Sequence, residues 1–134
     1  LLFNANEIQD KCNMVESIAP QRIEAVRERI DRSLEELKEK ITIDSDRFEQ
    51  ELIFYIEKLD INEELIRLNA HIKYFKETLD LDGAKGKKLG FITQEMGREI
   101  NTMGSKANHA EMQRNVILMK DNLERIKEQV LNIL

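Results

Sequence analysis

The chain has 134 residues, 41% hydrophobic and 35% charged, with no Trp, one Pro and 5% aromatics. That is enough for one domain, and the composition excludes a typical sandwich or barrel in favour of helices rich in Glu, Lys, Leu and Ile. The net charge of −5 excludes a uniformly basic nucleic-acid binder, no run reaches the ~20 apolar residues of a membrane span, and the single Cys12 excludes an intrachain disulfide.

In chain order, residues 4–18 read as a short helix or the tail of a longer one, with Cys12 as a small buried apolar residue. Pro20 is expected to open or kink a helix. Ile23, Val26, Ile30, Leu34, Leu37 and Ile41 then recur at spacings of three and four, one apolar helical stripe. "TIDSD" at 42–46 breaks it, and Asp44 or Ser45 can cap the next helix, with Phe48, Leu52, Tyr55, Ile56 and Leu59. "DINE" at 60–63 reads as a new cap, though the helix can also run through it. Leu65, Leu68, Ile72, Phe75 and Leu79 form a third stripe, and "DLDGAKGKK" at 80–88 is a loop. A helix is expected from about Lys87 to Met103, ended by Gly104. The last helix starts near Asn108 and carries Met112, Val116, Met119, Leu123, Ile126, Val130 and Ile133 in a coiled-coil-like seam. No period-two pattern is present, so the fold class is all-α, long antiparallel helices in a hairpin or bundle. The leading Leu1-Leu2-Phe3, without Met, suggests part of a longer chain. One cysteine and no visible signal peptide suit a reducing cytoplasm.

Charge is unevenly spread. From Asp44 to Glu64 there are eight acids and two bases, and from Gly83 to Lys106 five bases and two acids. Two polar stripes fall in or near the basic stretch. Glu64, Arg67, His71, Tyr74 and Thr78 share one helical face; Phe91, Glu95, Arg98 and Thr102 share another, flanked by Gln94 and Glu99. Glu64–Arg67 and Glu95–Arg98 read either as ordinary i,i+3 surface pairs or as halves of one groove. Carboxylates, arginines and a histidine facing one another could hold a divalent cation or a phosphodiester. Glu64 and His71 stand about 10 Å apart along a helix, so a metal would need Glu95 or Glu99 from the second helix. The loop lysines have no P-loop spacing, which excludes nucleotide binding of that type.

"EELIRLNAHIKYFKETL" (63–79), "GKKLGFITQEMGREINTMGSKANHAEM" (86–112) and "LERIKEQVLNI" (123–133) together resemble the C-terminal region of the YicC/YloC family of bacterial proteins. The match covers 60–133, the family-like C-terminal domain, whereas 1–59 agrees only in helical character. Gly90 and Gly97 stand where the family pattern has Asp and Asn. The resemblance implies an endoribonuclease, a divalent metal (Mg or Mn), RNA as partner, a homo-oligomeric ring of six, no membrane, and a further N-terminal domain. On it, the site would comprise His71, Glu95 and Arg98 as catalytic residues. Arg67, Lys87, Gln94, Asn101, Thr102, Ser105 and Lys106 would bind substrate, and Glu64, Glu95 and Glu99 would bind metal. An imidazole can move a proton near neutral pH, which suits His71 to acid or base work. A non-enzymatic RNA-binding adaptor and a structural oligomerisation module are the alternatives.

Overall fold

A computed structural model describes residues 1–38, 42, 44–107 and 109–133. Five helices follow in order: α1 Leu2–Lys38, α2 Ser45–Leu59, α3 Asn62–Leu79, α4 Gly86–Lys106 and α5 Ala110–Leu131. Among the described residues there is no strand, as the all-α reading requires. Ile41 and Asn108, assigned above to a stripe and a helix start, lie outside the described residues.

One core joins the first half of α1 to α3, α4 and α5. Ala5, Ile8, Cys12, Val15 and Ala19 of α1 are buried against Leu68, Ile72 and Phe75 of α3, Ile92, Met96 and Ile100 of α4, and the α5 seam. The alternating three and four spacing explains why each helix buries a single face. A fully buried side chain such as Phe75 contributes about 1.5–3 kcal/mol relative to an exposed one.

Pro20 does not open a helix; α1 runs through it, which leaves the kink of the two alternatives above. It lies on the solvent side, so water can satisfy the Glu16 carbonyl that loses its N–H partner. Gly104 likewise does not end α4, which continues to Lys106. A Cβ built at Gly104 would stand 3.2 Å from Val116 Cγ1, and one at Gly97 3.1 Å from Leu123 Cδ2. These two glycines let the backbone of α4 approach α5.

The connections follow local chemistry. Asp44 caps α2, its side chain accepting from Arg47 N at 3.2 Å. The chain breaks between α2 and α3, where Asp60 Oδ1 accepts from Asn62 N at 2.9 Å. Gly83 takes φ +89 in the α3–α4 loop, a left-handed turn that suits glycine. Lys85 Nζ donates to the carbonyls of Leu79 and Leu81 and so closes the C-terminus of α3. Beyond Ala19, α1 extends with α2 as a two-helix arm tied by Arg27–Glu49 at 2.8 Å. Among the described residues of that arm, only Val26 and Leu52 are buried.

Candidate functional site

The short α3–α4 loop makes these helices antiparallel neighbours, as the two-stripe reading requires. Their side chains meet in a regular register. Lys88 Nζ lies over the Tyr74 ring at 5.2 Å, Arg67 meets Glu99, and Glu64 meets Lys106. His71 falls between the first two levels, opposite residues 91–95. It is half-buried, and among the described residues its side chain makes no hydrogen bond.

At the far end of the register lies a charged cluster. Lys106 Nζ sits 2.7 Å from Glu64 Oε1 and also donates to the Asp60 carbonyl at 3.1 Å. Arg67 Nε donates to Glu99 Oε1 at 3.0 Å, and its terminal nitrogens reach Glu63 at 3.4 Å and Glu64 at 3.8 Å. The Glu64 and Glu99 side chains are only 4% and 8% exposed, so each buried charge is compensated by a cation from the facing helix. The hydrogen bond to Glu99, followed by the carboxylates around it, pushes the Arg67 guanidinium above its ordinary value and keeps it charged. Arg67 and Lys106, the expected phosphate contacts, thus spend their donors inside the protein.

Glu95 stands apart from that cluster. It is a surface partner of Arg98 at 3.9 Å, with Arg98 75% exposed, a geometry worth at most about 1 kcal/mol. Thr102 Oγ donates to the Arg98 carbonyl and Ser105 Oγ to the Asn101 carbonyl. Their donor is used within the helix, while the oxygens can still accept. Thr78 does the same with Tyr74 and is buried.

Turned toward solvent, α4 carries a second row. Lys87, Phe91, Gln94, Arg98, Asn101 and Ser105 are all exposed and recur at spacings of four and three. The row is roughly 27 Å long and holds no carboxylate. Among the described residues, the side chains of Lys87, Gln94 and Asn101 have no hydrogen-bond partner. The 3.6-residue period could have separated this row from the Glu95–Glu99 edge. Register with α3 was needed to assign Arg67 and Lys106 to the buried edge.

The carboxylates do not make a ready metal site. Among the described residues no three His, Cys, Asp or Glu side chains converge on one point. Glu64 and Glu99 are joined through Arg67, while Glu95 faces Arg98. Glu64 Oε2 is buried without a partner, a single donor atom against the three ligands named from sequence.

No described helix is long and apolar enough to cross a membrane. The family described as "Endoribonuclease YicC-like, C-terminal" matches residues 15–134. Two curated relatives named "Probable endoribonuclease YicC" are each 34% identical to this chain over 96% of its length, one from Clostridioides difficile and one from Haemophilus influenzae. The chain spans 47% and 44% of their respective lengths. With the family match over residues 15–134, nearly the whole chain, the chain belongs to the YicC-like C-terminal family.

Proposed function

We propose that the protein acts in RNA phosphodiester cleavage and that the exposed row of α4 lies along the RNA. The observation that carries this reading is the row itself: cations and amides in register, with no carboxylate among them and with the side chains of Lys87, Gln94 and Asn101 free of hydrogen-bond partners among the described residues. Family membership supplies the reaction class. Lys87 and Arg98 then contact phosphate oxygens, and Gln94 and Asn101 contact ribose or base edges. Thr102 and Ser105 offer acceptor oxygens beside them. His71, opposite residues 91–95, takes the role of general acid or base, with Glu95 as the nearest candidate carboxylate in the register.

The buried Glu64–Lys106 and Arg67–Glu99 pairs hold α3 against α4 and so set the spacing of that face. Divalent-metal dependence and assembly into a homo-oligomeric ring are carried to this protein from the family resemblance. Metal dependence is tested by chelation and re-addition of Mn, and assembly by light scattering. The charge-neutralised carboxylates favour placing any metal ligation outside this cluster.

Cleavage and binding of an end-labelled RNA by wild type and Lys87→Glu/Arg98→Glu test the proposal. Losing two phosphate contacts should weaken binding and lower the log–log salt slope by about 1.4 on a single strand. An unchanged affinity and slope would place the RNA elsewhere. Binding without cleavage under any metal would favour the adaptor reading.

A further inference from the structure

The RNA face contains one residue that electrostatics does not use. Phe91 is 63% exposed in the second turn of α4, with Lys87 one turn before it and Gln94 one turn after. A lone exposed apolar residue is ordinary on a protein surface. Phe91 differs in its setting, since every other member of its row is polar or charged. A phenylalanine there adds no core packing, and its helix propensity is below that of Ala. Across the register a second aromatic, Tyr74, is 41% exposed, with the Lys88 ammonium over its ring. Cations tracking a backbone beside an open aromatic face form the arrangement that binds unpaired nucleic acid. A duplex offers no such partner, because its base faces are stacked within the helix.

We infer that Phe91 is a stacking platform for an unpaired base, so that the α4 row selects single-stranded RNA over duplex. The inference rests on the reading of that row as the RNA face. Its occupant is set by charge: Lys87 lies one turn before the ring and Arg98 two turns after it, and the carboxylate beside the row, Glu95, is 3.9 Å from Arg98 and mostly covered. The Lys88–Tyr74 pair extends the same cationic, aromatic surface toward α3.

The chain contains no Trp, so Phe91→Trp introduces a single tryptophan, whose emission can be excited selectively over that of the two tyrosines. Its emission should be quenched by an unpaired oligoribonucleotide and left unchanged by an abasic strand of equal length or by a blunt duplex. Phe91→Ala should weaken binding of the unpaired strand about 5- to 150-fold, with duplex affinity altered less than about twofold. Phe91→Tyr should retain binding, and Phe91→Leu should not, which separates stacking from simple apolar contact. Helical circular dichroism confirms that each variant is folded, as expected at an exposed position. Absence of quenching, equal losses on strand and duplex, or a Phe91→Ala protein that changes only its assembly state would each overturn the inference. In the first two cases, Lys87→Glu/Arg98→Glu tells the two ideas apart. If it still abolishes binding, the RNA face stands and only stacking fails. If it too is silent, the face itself is misassigned.

Discussion

Replacing Lys106 by Met tests whether the α3–α4 junction is held by a buried ion pair. Glu64 is 4% exposed and meets Lys106 Nζ at 2.7 Å. At an effective dielectric of about 20, the gross attraction is about 6 kcal/mol, most of it offset by desolvation of the carboxylate. Removing one partner of a buried pair ordinarily costs about 3–5 kcal/mol, because the other charge is left uncompensated. Two features reduce that figure here. Lys106 is 29% exposed, so water can enter where it stood, and Arg67 remains 3.8 Å from Glu64. Loss of the Lys106 bond to the Asp60 carbonyl acts in the opposite direction. We expect about 2–3 kcal/mol of destabilisation. Unfolding entropy of about 2.1 cal/mol/K per residue converts this to a fall in Tm of roughly 7–11 °C for a chain of this size. Glu64→Gln alone should cost less, since Lys106 can then turn to solvent. The double variant Glu64→Gln/Lys106→Met should recover part of the loss, giving a favourable coupling in the double-mutant cycle. Thermal melts followed by circular dichroism measure all four proteins. If Lys106→Met melts within about 2 °C of wild type but binds RNA more weakly, Lys106 is a phosphate contact and the ion-pair reasoning fails.

Three further outcomes are expected. Gly90→Ala should stabilise the protein by up to about 1 kcal/mol, because its Cβ meets open space, whereas Gly104→Ala should destabilise it through crowding of the buried, β-branched Val116; the opposite order of melting temperatures would refute the close-approach account of α4 and α5. Burial, reinforced by Glu16, pushes the Cys12 thiol up from 9.0 to about 12. The folded chain therefore keeps a proton that the unfolded chain releases, so this contribution to stability is present below pH 9.0 and is lost as pH rises toward about 12; Cys12→Ala should show a shallower alkaline decline in urea titrations than wild type. His71→Ala should lower the cleavage rate about 10²–10⁴-fold with little change in RNA affinity, and a folded variant with an unchanged single-turnover rate would remove His71 from proton transfer.

The helices themselves were legible because burial imposes a period. Of the seam residues picked by spacing alone, Met112, Val116, Met119, Leu123, Ile126 and Val130 are buried, whereas Ile133 lies past the end of α5 and is exposed. Asp44 was readable as a cap because a carboxylate before a helix can accept an orphan backbone N–H. Gly104 misled, and Pro20 opens no helix, though it sits inside one as the kink alternative allows. At Pro20 the freed carbonyl is open to water, so α1 can continue; at Gly104 the close approach of α5 requires that the side chain be missing, which local propensity reads as a helix end.

Which residues are candidates for chemistry was also written in the sequence, since polar side chains at three and four spacing must share a face of α3 or α4. The sequence likewise set the acidic and basic stretches and the family likeness across α3 and α4. Only tertiary structure divided the polar residues into two groups with different work. Antiparallel packing brings residues 32 and 42 positions apart in the chain to within 3.0 and 2.7 Å, pairing Arg67 with Glu99 and Lys106 with Glu64. Helical periodicity cannot foresee such pairs, because it fixes angles around one axis and says nothing of register between two. That register sets Arg67 and Lys106 against buried carboxylates at the α3–α4 junction, whereas on the outer edge of α4 the side chains of Lys87, Gln94 and Asn101 have no hydrogen-bond partner among the described residues.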